Sequence, residues 1–140
     1  MFLLDTNVVS ELRKAPFGRA DPTVVRWADP VPPASLFLSV ITVMELETGV
    51  LRLERRDVQQ GRRLRAWLEN DVLSAFEGRI LPFDTRVARR CAALHVPDKR
   101  PVHDAVIAAT ALVHGLTVAT RNGRDFQPTG VPLLNPWTFA

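Results

Sequence analysis

This sequence has no tyrosine, one cysteine (Cys91), two lysines (Lys14 and Lys99) and three histidines in 140 residues. A single cysteine excludes an internal disulfide and any cysteine-based zinc site. Its neighbours Ala92, Ala93 and Leu94 mark Cys91 as an inert core thiol. With so few lysines, 16 of the 18 basic residues are arginine, and without tyrosine little titrates between neutrality and high pH. The pI near 10.0 therefore overstates a formal net charge of only +3. Such a balance gives a mild bias towards anionic partners and excludes a polybasic binder. The arginine richness also has a neutral reading as genomic base composition.

Long apolar runs are missing as well. The longest uncharged run, Ala105 to Thr120, contains His114 and Gly115 and falls short of the roughly 20 residues a membrane span needs. Charge arrives at Asp5 directly after Phe2-Leu3-Leu4, which leaves no secretory signal, so the expected compartment is the cytosol. No internal repeat or low-complexity segment interrupts the chain. A composition of 46% hydrophobic and 24% charged residues suits a soluble globular protein. The expectation is a single domain over residues 1–140, long enough to bury about 70% of its unfolded surface.

What is present is organised around Val102–Phe126. From Ala105 to Val113 only Thr110 is polar, as in a helix buried on most sides, and Gly115 supplies its stop. Leu116–Ala119 then reads as an interior parallel strand. Asp104 breaks the pattern: at helical spacing it shares a face with Ile107, Ala108 and Ala111. A carboxylate aimed into an apolar region is costly unless something cationic meets it.

Taken in order, Phe2-Leu3-Leu4 reads as a strand delivering Asp5, followed by a helix over Thr6–Lys14. Asp21-Pro22 opens a short helix to Trp27. Leu36-Phe37-Leu38 is a second strand, and a helix follows over Val40–Leu53. One long polar helix is expected over Arg55–Phe76, with Leu64, Trp67, Leu68, Val72 and Phe76 in a stripe. Ile80–Phe83 is a third strand, Asp84–Leu94 a helix, and Val131–Leu134 a last short strand. Strands alternating with helices imply an α/β domain with a mainly parallel sheet of four to five short strands and helices on both faces. Chemistry in that architecture gathers beyond the carboxyl ends of the strands, where Asp5 and Asp125 fall.

Four acids resist a purely local explanation, although each has one. Asp5 suits an N-cap, and Glu45 stands three residues after Thr42, the spacing of a capping box. Asp104 complements a helix dipole, and Asp125 suits a turn after Asn122-Gly123. Asp84-Thr85 has the same look, and there the cap reading is accepted. Together, four acids on one sheet edge would repel one another and raise their pKa values. A divalent cation resolves this, and an all-oxygen donor set selects a hard ion, Mg²⁺ or Mn²⁺, over zinc. His95, His103 and His114 lack ligand spacing and read as surface or interface residues.

With these residues in hand, the chain resembles PIN-domain ribonucleases, most closely the VapC-type toxins and their FitB-like branch. Four blocks carry the likeness: Leu3-Leu4-Asp5-Thr6-Asn7-Val8-Val9-Ser10-Glu11-Leu12, Ser39-Val40-Ile41-Thr42-Val43-Met44-Glu45-Leu46, His103-Asp104-Ala105-Val106-Ile107-Ala108-Ala109-Thr110-Ala111, and Thr120-Arg121-Asn122-Gly123-Arg124-Asp125-Phe126. The resemblance implies a PIN-like fold whose Asp5, Glu45, Asp104 and Asp125 form an acidic site for one or two Mg²⁺ ions. Thr6, Asn7, Thr120 and Asn122 match the family's supporting polar positions.

It further implies a Mg²⁺-dependent endoribonuclease that leaves a 5′-phosphate and a 3′-hydroxyl. In that mechanism Asp5 and Asp104 are the primary metal ligands. Glu45 and Asp125 hold coordinated waters, complete a second site or orient the nucleophile. Arg121 and Arg124 stand close in sequence for phosphate contacts, or are solvated surface charges. The implied partners are an antitoxin encoded next door, an RNA substrate and a second copy of the chain, with no membrane. The helices over Val40–Leu53 and Arg55–Phe76 are the candidate antitoxin groove, unless the Trp67 stripe is ordinary core.

Two rivals remain. A phosphoryl-aspartate protein using Asp5 needs a lysine near a strand end, whereas Lys14 lies late in a helix and Lys99 in a loop. A non-catalytic RNA-binding or scaffold module with the same fold is opposed by the complete set of acids.

Overall fold

The computed structural model describes residues 1–139. Five short strands form one sheet: β1 (Phe2–Leu4), β2 (Leu36–Ser39), β3 (Ile80–Leu81), β4 (Thr117–Ala119) and β5 (Leu133–Leu134), in the order β3-β2-β1-β4-β5. Every pairing is parallel. Parallel strands need crossovers, and helices supply them: α1 (Thr6–Leu12), α2 (Pro22–Ala28), α3 (Val40–Arg56), α4 (Val58–Ala66), α5 (Thr85–Leu94), α6 (Val102–His114) and α7 (Gly123–Phe126). The expected α/β architecture is therefore present, with the sheet wholly parallel.

Side chains alternate across the pleat and divide the core. Leu4, Leu38 and Ala119 face a cluster with Val8, Val9, Trp27, Leu46 and Leu68, contributed by α1, α2, α3 and the helical stretch after α4. Leu3 and Val118 face Ile107, Ala108, Ala111 and Phe126 on the other side. The second face of α6 meets α5, where Ala105, Val106 and Ala109 pack on Val87 and Cys91. That sandwiching buries every residue from Ala105 to Ala111. It also explains how Thr110 is tolerated, since its hydroxyl donates to Val106 O at 2.7 Å. Gly115 ends α6 in the left-handed region (φ +68°), where a Cβ is disfavoured. Burial raises the Cys91 thiol pKa, consistent with an inert core cysteine.

Several boundaries differ from expectation. Helix α1 stops at Leu12, followed by a 3₁₀ turn over Ala15–Phe17, and β3 ends at Leu81. The single helix expected over Arg55–Phe76 does not form. Helix α3 instead runs on to Arg56, and Asp57 breaks it with extended backbone (φ −148°, ψ 101°). The Asp57 carboxylate then caps α4 by accepting from Gln60 N at 3.1 Å. The resulting α3–α4 hairpin is tight enough that a Cβ on Gly61 would lie 2.5 Å from Glu54 Cα. Beyond α4 the chain widens into a π-helical stretch over Trp67–Leu73. Asp125 follows β4 as expected, on the short helix α7 instead of in a turn. Asp84 caps α5 as expected, accepting from Val87 N at 3.0 Å. Among the described residues, no helix is long and apolar enough to cross a membrane.

Candidate functional site

Asp5 leaves the end of β1 with its backbone still in the sheet, its N–H donating to Ala119 O at 2.9 Å. Its side chain does two things at once. Oδ1 accepts from Thr6 N at 2.8 Å and caps α1, while Oδ2 accepts from the Thr120 hydroxyl at 2.7 Å. Asn7 Nδ2 approaches the same Oδ2 at 3.4 Å and Thr120 Oγ1 at 3.5 Å. The Asn122 N–H donates to Thr120 Oγ1 at 3.0 Å, and the Arg121 N–H to Asn7 Oδ1 at 3.3 Å. All four supporting residues named from sequence (Thr6, Asn7, Thr120 and Asn122) thus join one network around Asp5, Asn122 through its backbone. Burial nonetheless raises the Asp5 pKa, against the lowering by Thr120 and Thr6, and the Glu45 charge adds to the rise.

Glu45 does not make the capping box. Ser39 is the N-cap of α3, its Oγ accepting from Ile41 N at 3.1 Å. Glu45, one turn further on, reaches across to α1, where the Thr6 hydroxyl donates to Oε1 at 2.7 Å. Asp104 enters from the first turn of α6. Its pKa is raised first by burial, then by the charges of Asp5, Asp125 and Glu45, with His103 opposing. That mutual repulsion is the electrostatic signature of four acids gathered at one edge. Asp125 is the most open of them, exposed on α7.

Two participants escaped the sequence reading. Buried Thr42 places Oγ1 3.3 Å from Thr6 Oγ1, so the Thr42–Glu45 spacing was a real signal with a different meaning. His103 is indeed at the surface, but its Nδ1 stands 3.3 Å from Glu45 Oε2. A lone histidine carries no ligand spacing, and only its place before Asp104 could have flagged it.

Among the described residues, no Lys or Arg forms an ion pair with Asp5, Glu45, Asp104 or Asp125. Arg121 instead lies over the Trp137 ring, 5.2 Å from its centroid. The donor set therefore fits a hard cation: carboxylates, with hydroxyl and amide oxygens beside them and no competing guanidinium. Among the described residues, no three His, Cys, Asp or Glu side chains close directly around an ion position. Mg²⁺ is commonly held by one or two carboxylates and keeps several waters, so its sites need no closed cage.

A groove of about 1140 Å³ has Leu12, Phe17, Trp67 and Phe76 in its lining, with Arg13, Lys14, Arg19, Arg63, Arg79 and Asp71 as its charged residues. It opens between α1 with its following turn and the α4–π segment. Of the two helical segments expected to form a groove, Arg55–Phe76 lines this one from Gln60 to Phe76, and no residue of Val40–Leu53 does. Trp67 is half-buried against the core and lies beneath Arg13, 5.6 Å from its ring centroid.

Residues 2–131 match the PIN domain family, and the chain belongs to it. Within the family it is similar to toxins and ribonucleases of one kind. It is 42% identical to the VapC ribonuclease Y4jK of Sinorhizobium fredii over 148 aligned residues, covering 100% of both chains. It is also 42% identical to Toxin FitB of Neisseria gonorrhoeae, covering 98% of this chain and 99% of FitB. The crystal structure of FitAcB from that organism superposes with a TM-score of 0.89 at 39% identity, covering 99% of this chain and 100% of the other.

Proposed function

We propose that this protein is a divalent-metal-dependent endoribonuclease and the toxin of a toxin–antitoxin pair, working as a single PIN domain over residues 1–140. The observation that carries the reading is the set of four carboxylates at one edge with no Arg or Lys partner among the described residues, two of them driven up in pKa first by burial and then by neighbouring carboxylates. Likeness over the full chain to a protein named a VapC ribonuclease supports the reaction class.

Asp5 and Asp104 would hold the ion, Mg²⁺ or Mn²⁺. When bound, it supplies an acidified water and neutralises charge on the phosphate. The chain does the rest. Thr120 and Thr6 N fix Asp5 against rotation, so its oxygens do not reorganise during reaction. Thr6 orients Glu45, and Glu45 with Asp125 holds and aligns the attacking water for displacement at phosphorus. Cleavage leaves a 5′-phosphate and a 3′-hydroxyl, with no side-chain nucleophile. Arg124, exposed beside Asp125, is placed to meet the RNA backbone.

The partner reading follows from the same family. An amphipathic helical antitoxin segment bearing acidic residues suits a groove with an apolar floor and five Arg or Lys side chains. The chain is also proposed to form a homodimer in the cytosol.

The test is cleavage of a structured RNA by purified protein, with Mg²⁺ or with excess chelator, beside Asp5→Asn and Asp104→Asn. Cleavage that needs the metal and both acids supports the reading. Full activity in chelator, or in either variant, overturns it. Metal and RNA binding without cleavage by the wild type would favour a scaffold module instead.

A further inference from the structure

Both oxygens of Glu45 are engaged from outside its own helix. The Thr6 hydroxyl of α1 donates to Oε1 at 2.7 Å, and His103 Nδ1 of α6 meets Oε2 at 3.3 Å. An ionised carboxylate only accepts, so Nδ1 carries the proton in this contact whether the ring is neutral or charged. Thr6 is itself backed by the buried Thr42 hydroxyl at 3.3 Å.

The clamp has a physical purpose. Glu45 adds unfavourable charge to both Asp5 and Asp104, and those charges repel it in return. Its side chain is one-third exposed, with room to swing towards water. Two donors, one on each side, hold it over the acidic edge against that repulsion. His103 is not needed for packing, since its side chain is 47% exposed.

We propose that His103 is a positioning residue of this site: with Thr6 it clamps the Glu45 carboxylate at the acidic edge, where that carboxylate would face a bound ion or its waters. The inference rests on the metal-nuclease reading of the acidic edge. It requires only an N–H at the Nδ1 position, which the amide of an asparagine can supply.

The experiment compares His103→Leu with His103→Asn. Three quantities are measured: kcat and KM on a fixed RNA, Mg²⁺ affinity of the RNA-free protein by calorimetry, and Tm. Outer-shell partners of metal sites are worth about 10–100-fold in affinity or activity. His103→Leu is therefore expected to lose about 10-fold or more in kcat and Mg²⁺ affinity, with KM and Tm close to wild type. His103→Asn should recover most of that loss. Wild-type behaviour of His103→Leu would overturn the clamp, as would equal losses in both variants. A raised KM at constant kcat would also overturn it, making His103 an RNA contact. A wild type that neither binds Mg²⁺ nor cuts RNA identifies the nuclease reading as the failure. A wild type that does both beside an indifferent His103→Leu sinks the clamp alone.

Discussion

The molecule holds two gatherings of acids, and they are treated in opposite ways. On the α3–α4 hairpin and the π-helical stretch after it, Glu47, Glu54 and Glu69 surround Arg65, with N–O distances of 2.7, 2.9 and 3.8 Å. The Arg65 guanidinium holds Glu54 below its ordinary pKa, and the glutamates raise Arg65 in turn. At the carboxyl edge of the sheet, Asp5 and Asp104 are raised, chiefly by burial, and have no Arg or Lys partner among the described residues. The first cluster is finished within the chain. The second is left incomplete, which costs stability unless something from outside completes it.

The largest effect that would break this contrast lies in the chemistry. Asp5→Asn or Asp104→Asn should lower Mg²⁺-dependent RNA cleavage by on the order of 10²–10³-fold or more while the fold survives. Glu54→Gln should leave cleavage within the error of the assay. Loss of activity in the hairpin variant, measured at a temperature where it is folded, would erase the distinction.

Metal should stabilise only through the acidic edge. At 100 times Kd, a ligand that binds only the native state adds about 2.7 kcal/mol. For a chain of 140 residues that is roughly 9 °C in Tm. Mg²⁺ should raise the wild-type Tm on that scale and do little for Asp104→Asn. An equal rise in both would place the ion elsewhere.

The hairpin should fail by packing instead. Gly61→Ala brings a Cβ to 2.5 Å from the Glu54 backbone. Overpacking of this kind costs about 1–3 kcal/mol, or roughly 3–10 °C in Tm. Cleavage at low temperature should persist.

The smallest effects are those of pH on the metal-free protein, and the two clusters should show opposite signs. Asp5 and Asp104 have folded pKa values raised above 3.8, so their contribution is complete below that pH and is lost as pH rises through the folded values. Glu54 is lowered from 4.5, so its contribution is present above that pH and is lost as pH falls through the folded value. Relative to wild type, Asp104→Asn should gain Tm only at the higher pH, and Glu54→Gln should lose Tm only there. Parallel curves for the two variants would show that both clusters are alike.

Much of this was legible before any fold was known. The alternation of Leu3 and Leu4, the alanine-rich run of α6 and the stop at Gly115 are local patterns, and each maps onto one strand face or one helix. Asp5, Asp104 and Thr120 lie at element ends, where an α/β sheet presents its chemistry. The break at Asp57 was hidden, because a helix-compatible run of polar residues says nothing about a hairpin closing on Gly61. Glu45 was ambiguous for a related reason. Three-residue spacing to Thr42 satisfies a cap and a cross-helix contact equally well, and the choice depends on where α1 lies.

By itself, the chain of letters determined that short strands alternate with helices, where most of those elements lie, and which acids stand near strand and helix ends. Those are properties of neighbours in sequence, set by side-chain period, turn residues and the cost of an unpaired carboxylate. Tertiary structure alone decided that Arg65 reaches Glu47 and Glu54 on the neighbouring helix, that the open groove runs beside α1, and that Thr6 and His103 meet on the two oxygens of Glu45. Such contacts join residues up to 58 positions apart. The Glu45 contacts arise only when parallel crossovers bring α1, α3 and α6 to one edge, a geometry that no local pattern encodes.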